Sequence, residues 1–135
     1  MTAVLHLVVL LLALTALSAP AAADPLHPHL RLIAPAAPGG GWDQTARAMQ
    51  AVLQDAGLVR TSSVENIPGA AGTIGLARFI TAERGQGDVL MLSGLIMLGA
   101  VVTHQSPVTL RQVTPIARLI GEYEVVVVPA ASPLR

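Results

Sequence analysis

The chain has no cysteine among its 135 residues, which excludes a disulfide framework, a thiolate metal site, a cysteine nucleophile and a cysteine-linked lipid anchor. Aromatic residues make up 2% and charged residues 12%. The scarcity of aromatics argues against stacking platforms for bases or sugar rings. Eight basic residues balance eight acidic ones, for a net charge of zero. Such a chain has no electrostatic footprint for phosphate backbones or anionic membranes, so nucleic acid is not an expected partner. An anion would have to be held by local groups. Hydrophobic residues reach 53%, mostly Ala, Val, Leu and Ile, and the length allows one small domain with an aliphatic core.

Part of that hydrophobicity is concentrated in Val4–Leu17, broken only by His6 and Thr15 and followed by Ser18-Ala19-Pro20 and Ala21-Ala22-Ala23-Asp24. The run is shorter than the roughly 20 residues of a membrane-spanning helix. Ala21-x-Ala23 is the small-x-small pattern that a signal peptidase accepts. The sequence therefore predicts a signal peptide over residues 1–23, cleavage after Ala23 and an exported chain from Asp24 to Arg135. No Lys or Arg precedes the apolar run, which leaves an uncleaved anchor or a misassigned start as the alternatives.

After the cleavage site, Asp24–His29 holds two prolines and reads as a tail. Leu30–Ala34 reads as a short strand, Pro38-Gly39-Gly40-Gly41 as a loop, and Trp42, Ala46, Met49, Leu53 and Ala56 as the apolar stripe of a helix that Gly57 ends. The order then recurs. Ser63–Ile67 is a strand candidate, Pro68–Gly72 a loop, and Ile74, Ala77, Phe79 and Ile80 mark a helix stopped at Gly85 or Gly87. Asp88–Leu92 is a third strand, Ser93-Gly94 a turn, and Leu95, Met97, Leu98, Val101 and Val102 a third helix. Ile116–Ile120 and Tyr123–Val128 are two further strand candidates, the second continuously apolar and β-branched as in a strand covered on both faces. Strands alternating with helices predict an α/β fold with a mostly parallel sheet flanked by helices.

Each unit places small residues between the carboxyl end of a strand and the first turn of a helix, the edge where ligands bind in open α/β sheets. Helix N-termini offer unpaired N–H donors and the positive end of a dipole, so a carboxylate or phosphate is the natural guest. Glycines also serve tight turns and close helix packing without any ligand. Gly69-Ala70-Ala71-Gly72-Thr73-Ile74-Gly75 is not the dinucleotide pattern, and no lysine follows a glycine loop as a P-loop requires. The serines lack a nucleophile-elbow setting, and His104 reads as a helix-end surface residue. His27-x-His29 has no third ligand nearby, so no metal or other cofactor is expected. Asp43 lies in the first helical turn, where it complements the dipole; it could also order the loop donors or meet a ligand.

The run Ala34-Pro35-Ala36-Ala37-Pro38-Gly39-Gly40-Gly41-Trp42-Asp43-Gln44-Thr45-Ala46-Arg47 resembles the first ligand loop of the substrate-binding receptors of tripartite tricarboxylate transporters. Asn66-Ile67-Pro68-Gly69-Ala70-Ala71-Gly72-Thr73-Ile74-Gly75 resembles their second signature. Ser106–Leu110, Val113–Leu119 and Glu122–Val125 continue the likeness in order. The resemblance implies a periplasmic binding protein, not an enzyme, with a fold of the type II periplasmic-binding-protein class. Its partners would be a small organic carboxylate and the membrane subunits of the transporter. Carried over by motif, the binding residues are Gly39, Gly40, Gly41, Trp42 and Asp43, then Gly69, Ala70, Ala71, Gly72 and Thr73, then Ser93 and Gly94. Ala71 departs from the family, which commonly has glycine there. The family also has a second lobe. Residues 24–135 therefore read as a truncated first lobe, with binding of the acid expected to be weak. A nonfunctional remnant and a small phosphate-handling α/β enzyme domain are the alternatives.

Overall fold

A computed structural model describes residues 24–121, 123 and 125–134. The expected signal peptide over residues 1–23 lies outside the described residues, as do Glu122, Glu124 and Arg135.

Among the described residues three strands, β1 (His27–Ala34), β2 (Val59–Asn66) and β3 (Val89–Met91), form a parallel sheet in the order β2-β1-β3. Among the same residues three helices connect or follow them: α1 (Gly41–Asp55), α2 (Thr73–Ala82) and α3 (Leu95–Thr103), with 3-10 turns at Ala70–Gly72 and Leu110–Gln112. The fold is thus α/β, an open three-stranded parallel sheet flanked by helices, as the alternation of strand and helix patterns predicts.

Side-chain alternation along β1 explains why helices cover both faces. Leu30, Leu32 and Ala34 project to one face and pack with Ala46, against which Trp42, Met49 and Leu53 of α1 close. Ile33 projects to the other and packs with Ile67, Val89 and Phe79 of α2. A third cluster joins α2 to α3 through Leu76, Met97 and Val101, with Val108, Leu110 and Val113 laid over it. On the α2 face, Arg31 pairs with Glu65 at 3.2 Å and with the buried Glu83, while Arg78 reaches Glu65 at 2.7 Å. This ion-pair chain ties β1, β2 and the middle and C-terminal end of α2 together, away from the glycine loops.

Two expectations are corrected. The tail expected over Asp24–His29 is strand from His27 onward: His27 pairs with Val59 and His29 with Thr61, the ladder passing over Pro28. Pro28 is tolerated because β3 reaches only Arg31–Ile33, so β1 is locally an edge there. The two further strands expected over Ile116–Ile120 and Tyr123–Val128 do not form among the described residues, which are irregular and largely exposed. β-branched composition makes a segment fit for a sheet, but a strand also needs a hydrogen-bonded neighbour, and among the described residues neither segment has one.

Candidate functional site

Because the three strands are parallel, their carboxyl ends lie on one edge, and the loops Pro35–Gly40, Ile67–Gly72 and Leu92–Gly94 all emerge there. The first loop is held by its own carboxylate. Asp43, buried in the first turn of α1, accepts from the Gly39 amide at 2.8 Å, from Arg47 Nε at 3.0 Å and from Asn66 Nδ2 at 2.9 Å. Asn66 Nδ2 also donates to the Ala36 carbonyl at 3.0 Å, so the end of β2 clamps the first loop. Arg47 foremost, then the Gly39 amide and Asn66, hold the Asp43 carboxyl down at about 2. Both oxygens are committed within the protein, and Asp43 orders the loop donors.

What remains free is backbone. Gln44 N donates to the Gly40 carbonyl and Leu98 N to the Gly94 carbonyl. The amides before them, Gly41–Asp43 on α1 and Leu95–Met97 on α3, have no acceptor within their helices. The second loop contributes differently. Ala70 and Ala71 both adopt left-handed backbone, at φ 45° and 52°, and Thr73 Oγ1 caps the turn by donating to the Ala70 carbonyl at 2.9 Å. Left-handed alanine costs about 1 kcal/mol or more, so a glycine at position 71 would relieve strain that this chain retains.

Trp42 joins the loops. A Cβ built on Gly72, whose φ is +91°, would lie 2.8 Å from Trp42 Cζ3 and 2.8 Å from Met97 Cε; one on Gly94 would lie 3.2 Å from Trp42 Nε1. The indole therefore packs over the backbone of the second and third loops, and these two glycines are explained by its approach before any ligand is invoked. Gly41 is different. It is exposed, lines the cleft, and a Cβ there would meet nothing within 4 Å.

An open cleft of about 1510 Å³ runs from these loops along β3. It is larger than a pocket for one small ligand, and the free helix-end donors are confined to its loop end. There it is lined by Gly41, Trp42, Gly69, Ala71, Gly72, Ser93 and Gly94. Of the residues expected from the sequence, Ser93 is exposed at the rim with no side-chain hydrogen bond among the described residues. Sequence reasoning did not single out Asn66 as a clamp, nor the Leu95 and Ile96 amides. The signals were an amide residue ending a strand opposite an Asp in a helix's first turn, and a glycine directly before a helix. Among the described residues no cluster of three His, Cys, Asp or Glu could hold a metal, and no helix is long and apolar enough to cross a membrane. No protein-family model, no curated protein and no solved structure matches the chain.

Proposed function

We propose that this chain is an extracytoplasmic solute-binding receptor that captures a small organic carboxylate and delivers it to the membrane subunits of a tripartite tricarboxylate transporter. In this reading the sheet is the first lobe of a type II periplasmic-binding-protein fold. The observation that carries it is the convergence of three strand-to-helix loops on one sheet edge, with Gly41 and Trp42 at the start of α1 and Leu95 and Ile96 at the start of α3 lining one cleft. Helix N-termini and their first-turn N–H groups can stabilise a carboxylate without a cationic side chain, which suits a protein of zero net charge. The motif resemblance over the first two loops supports the same assignment. The loops are exposed on their outer side, so solvent competes for the ligand and dissociation constants are expected in about the millimolar range.

Amide NMR during titration with citrate and other small di- and tricarboxylates tests the reading. Shifts should concentrate at Gly39–Asp43, Ala70–Thr73 and Ser93–Met97, disappear in Gly41→Val and survive in His104→Ala. Gly41→Val is the informative variant because Gly41 lines the cleft and a Cβ there meets nothing within 4 Å. Shifts elsewhere, or none with either acid class, would refute the site; a response to inorganic phosphate alone would favour a phosphate-handling domain.

A further inference from the structure

Away from the glycine loops the cleft continues along the outer edge of β3. Arg31 N donates to the Asp88 carbonyl and Leu92 N to the Ile33 carbonyl. By the alternation of a parallel ladder, the amides of Val89 and Met91 point away from β1, and no described strand pairs with that edge. Phe79 and Ile80 form one wall of this groove, and Ile116 and Leu119 line it as well. An unpaired strand edge in an apolar groove is a template for one more extended segment.

The chain carries such a segment. Val125–Val128 is a run of four β-branched residues, 78%, 97%, 83% and 43% exposed, with no backbone hydrogen bond to any described residue. Its four residues are enough to span the three-residue edge it would extend. Within one chain the run stays off the edge, as its exposure records, whereas donor and acceptor surfaces can meet without refolding when they come from two chains.

We propose that two copies of this chain associate by strand addition, Val125–Val128 of each seating on the Val89–Met91 edge of the other. Reciprocal exchange satisfies both edges and closes a two-fold dimer. Main-chain hydrogen bonds to Val89 and Met91 provide the register, and the valine side chains fill the groove beside Phe79 and Ile80. This association does not depend on the carboxylate reading, because it uses the opposite part of the cleft.

Sedimentation velocity of the purified full chain from about 1 to about 100 μM should show a monomer–dimer equilibrium. Hydrogen exchange at the Met91 amide should slow as dimer forms. Val126→Pro removes a ladder donor at a residue outside the core, so it should leave circular dichroism unchanged and weaken dimerisation at least tenfold; Val126→Lys should do the same. Leu98→Lys, on the exposed side of α3, should not. A monomer throughout, association that persists in Val126→Pro, an unprotected Met91 amide in the dimer, or loss of association in Leu98→Lys alone would each overturn the proposal.

Discussion

Val89–Met91 and Val125–Val128 are both short, aliphatic and without charge, yet the first is a strand and the second is not. The difference lies in what each meets. Val89 and Met91 pack with Ile33, Ile67 and Phe79, and Arg31–Ile33 offer a ladder. The four valines meet neither a ladder nor a core. Burial of a valine or leucine side chain stabilises by roughly 1.5–3 kcal/mol, which offsets the backbone entropy of ordering only where a partner exists. The run with more β-branched residues is the one that forms no strand, so tertiary neighbours, not propensity, decided between the two segments.

The sharpest way to break that comparison is to cut one aliphatic side chain back to alanine on each side of it. Leu32→Ala, fully buried between α1 and the sheet, should cost about 4 kcal/mol in chemical denaturation. Val126→Ala should cost less than about 0.5 kcal/mol in dilute protein. Equal costs would mean that the valine run is packed in solution. Gly72→Val should cost about 3 kcal/mol, since it adds left-handed strain to an overlap with the Trp42 ring. A neutral result would show that the indole does not rest on the second loop.

Asp43 sharpens the contrast on the side of the loops. Its folded value of about 2 lies below the ordinary carboxylate value of about 3.9. Its contribution to loop order is therefore complete above about pH 4 and is lost as pH falls through 2. Carboxyl NMR should place its midpoint near 2; a midpoint near 4 would mean that the Arg47, Gly39 and Asn66 contacts are not held. One expected effect is a gain. Ala71→Gly should stabilise by about 1 kcal/mol by relieving left-handed alanine, and a loss would place the strain elsewhere.

The sheet core and its helices were legible because their patterns are local. The 3.6-residue stripe of Trp42, Ala46, Met49 and Leu53 and the glycine stop at Gly57 belong to one element each. The start of β1 was not legible, because Pro28 is acceptable only where β3 falls short, a fact of strand order that no local pattern carries. The glycine loops were placed on the correct edge by alternation alone. Their division of labour was not: that Gly72 serves the indole while Gly41 faces open cleft depends on contacts between residues 30 positions apart or more. Asp43 stood open between dipole, loop and ligand roles until Asn66 and Gly39 were found on its oxygens.

The position of Trp42 has an optical consequence. It is the sole tryptophan, and its ring touches both the cluster beneath α1 and the cluster between α2 and α3. The only tyrosine, Tyr123, is fully exposed. Indole emission therefore has a single source that senses the docking of both faces of the sheet together. A stopped-flow trace of that emission would time the moment when the two halves of the interior first share a boundary.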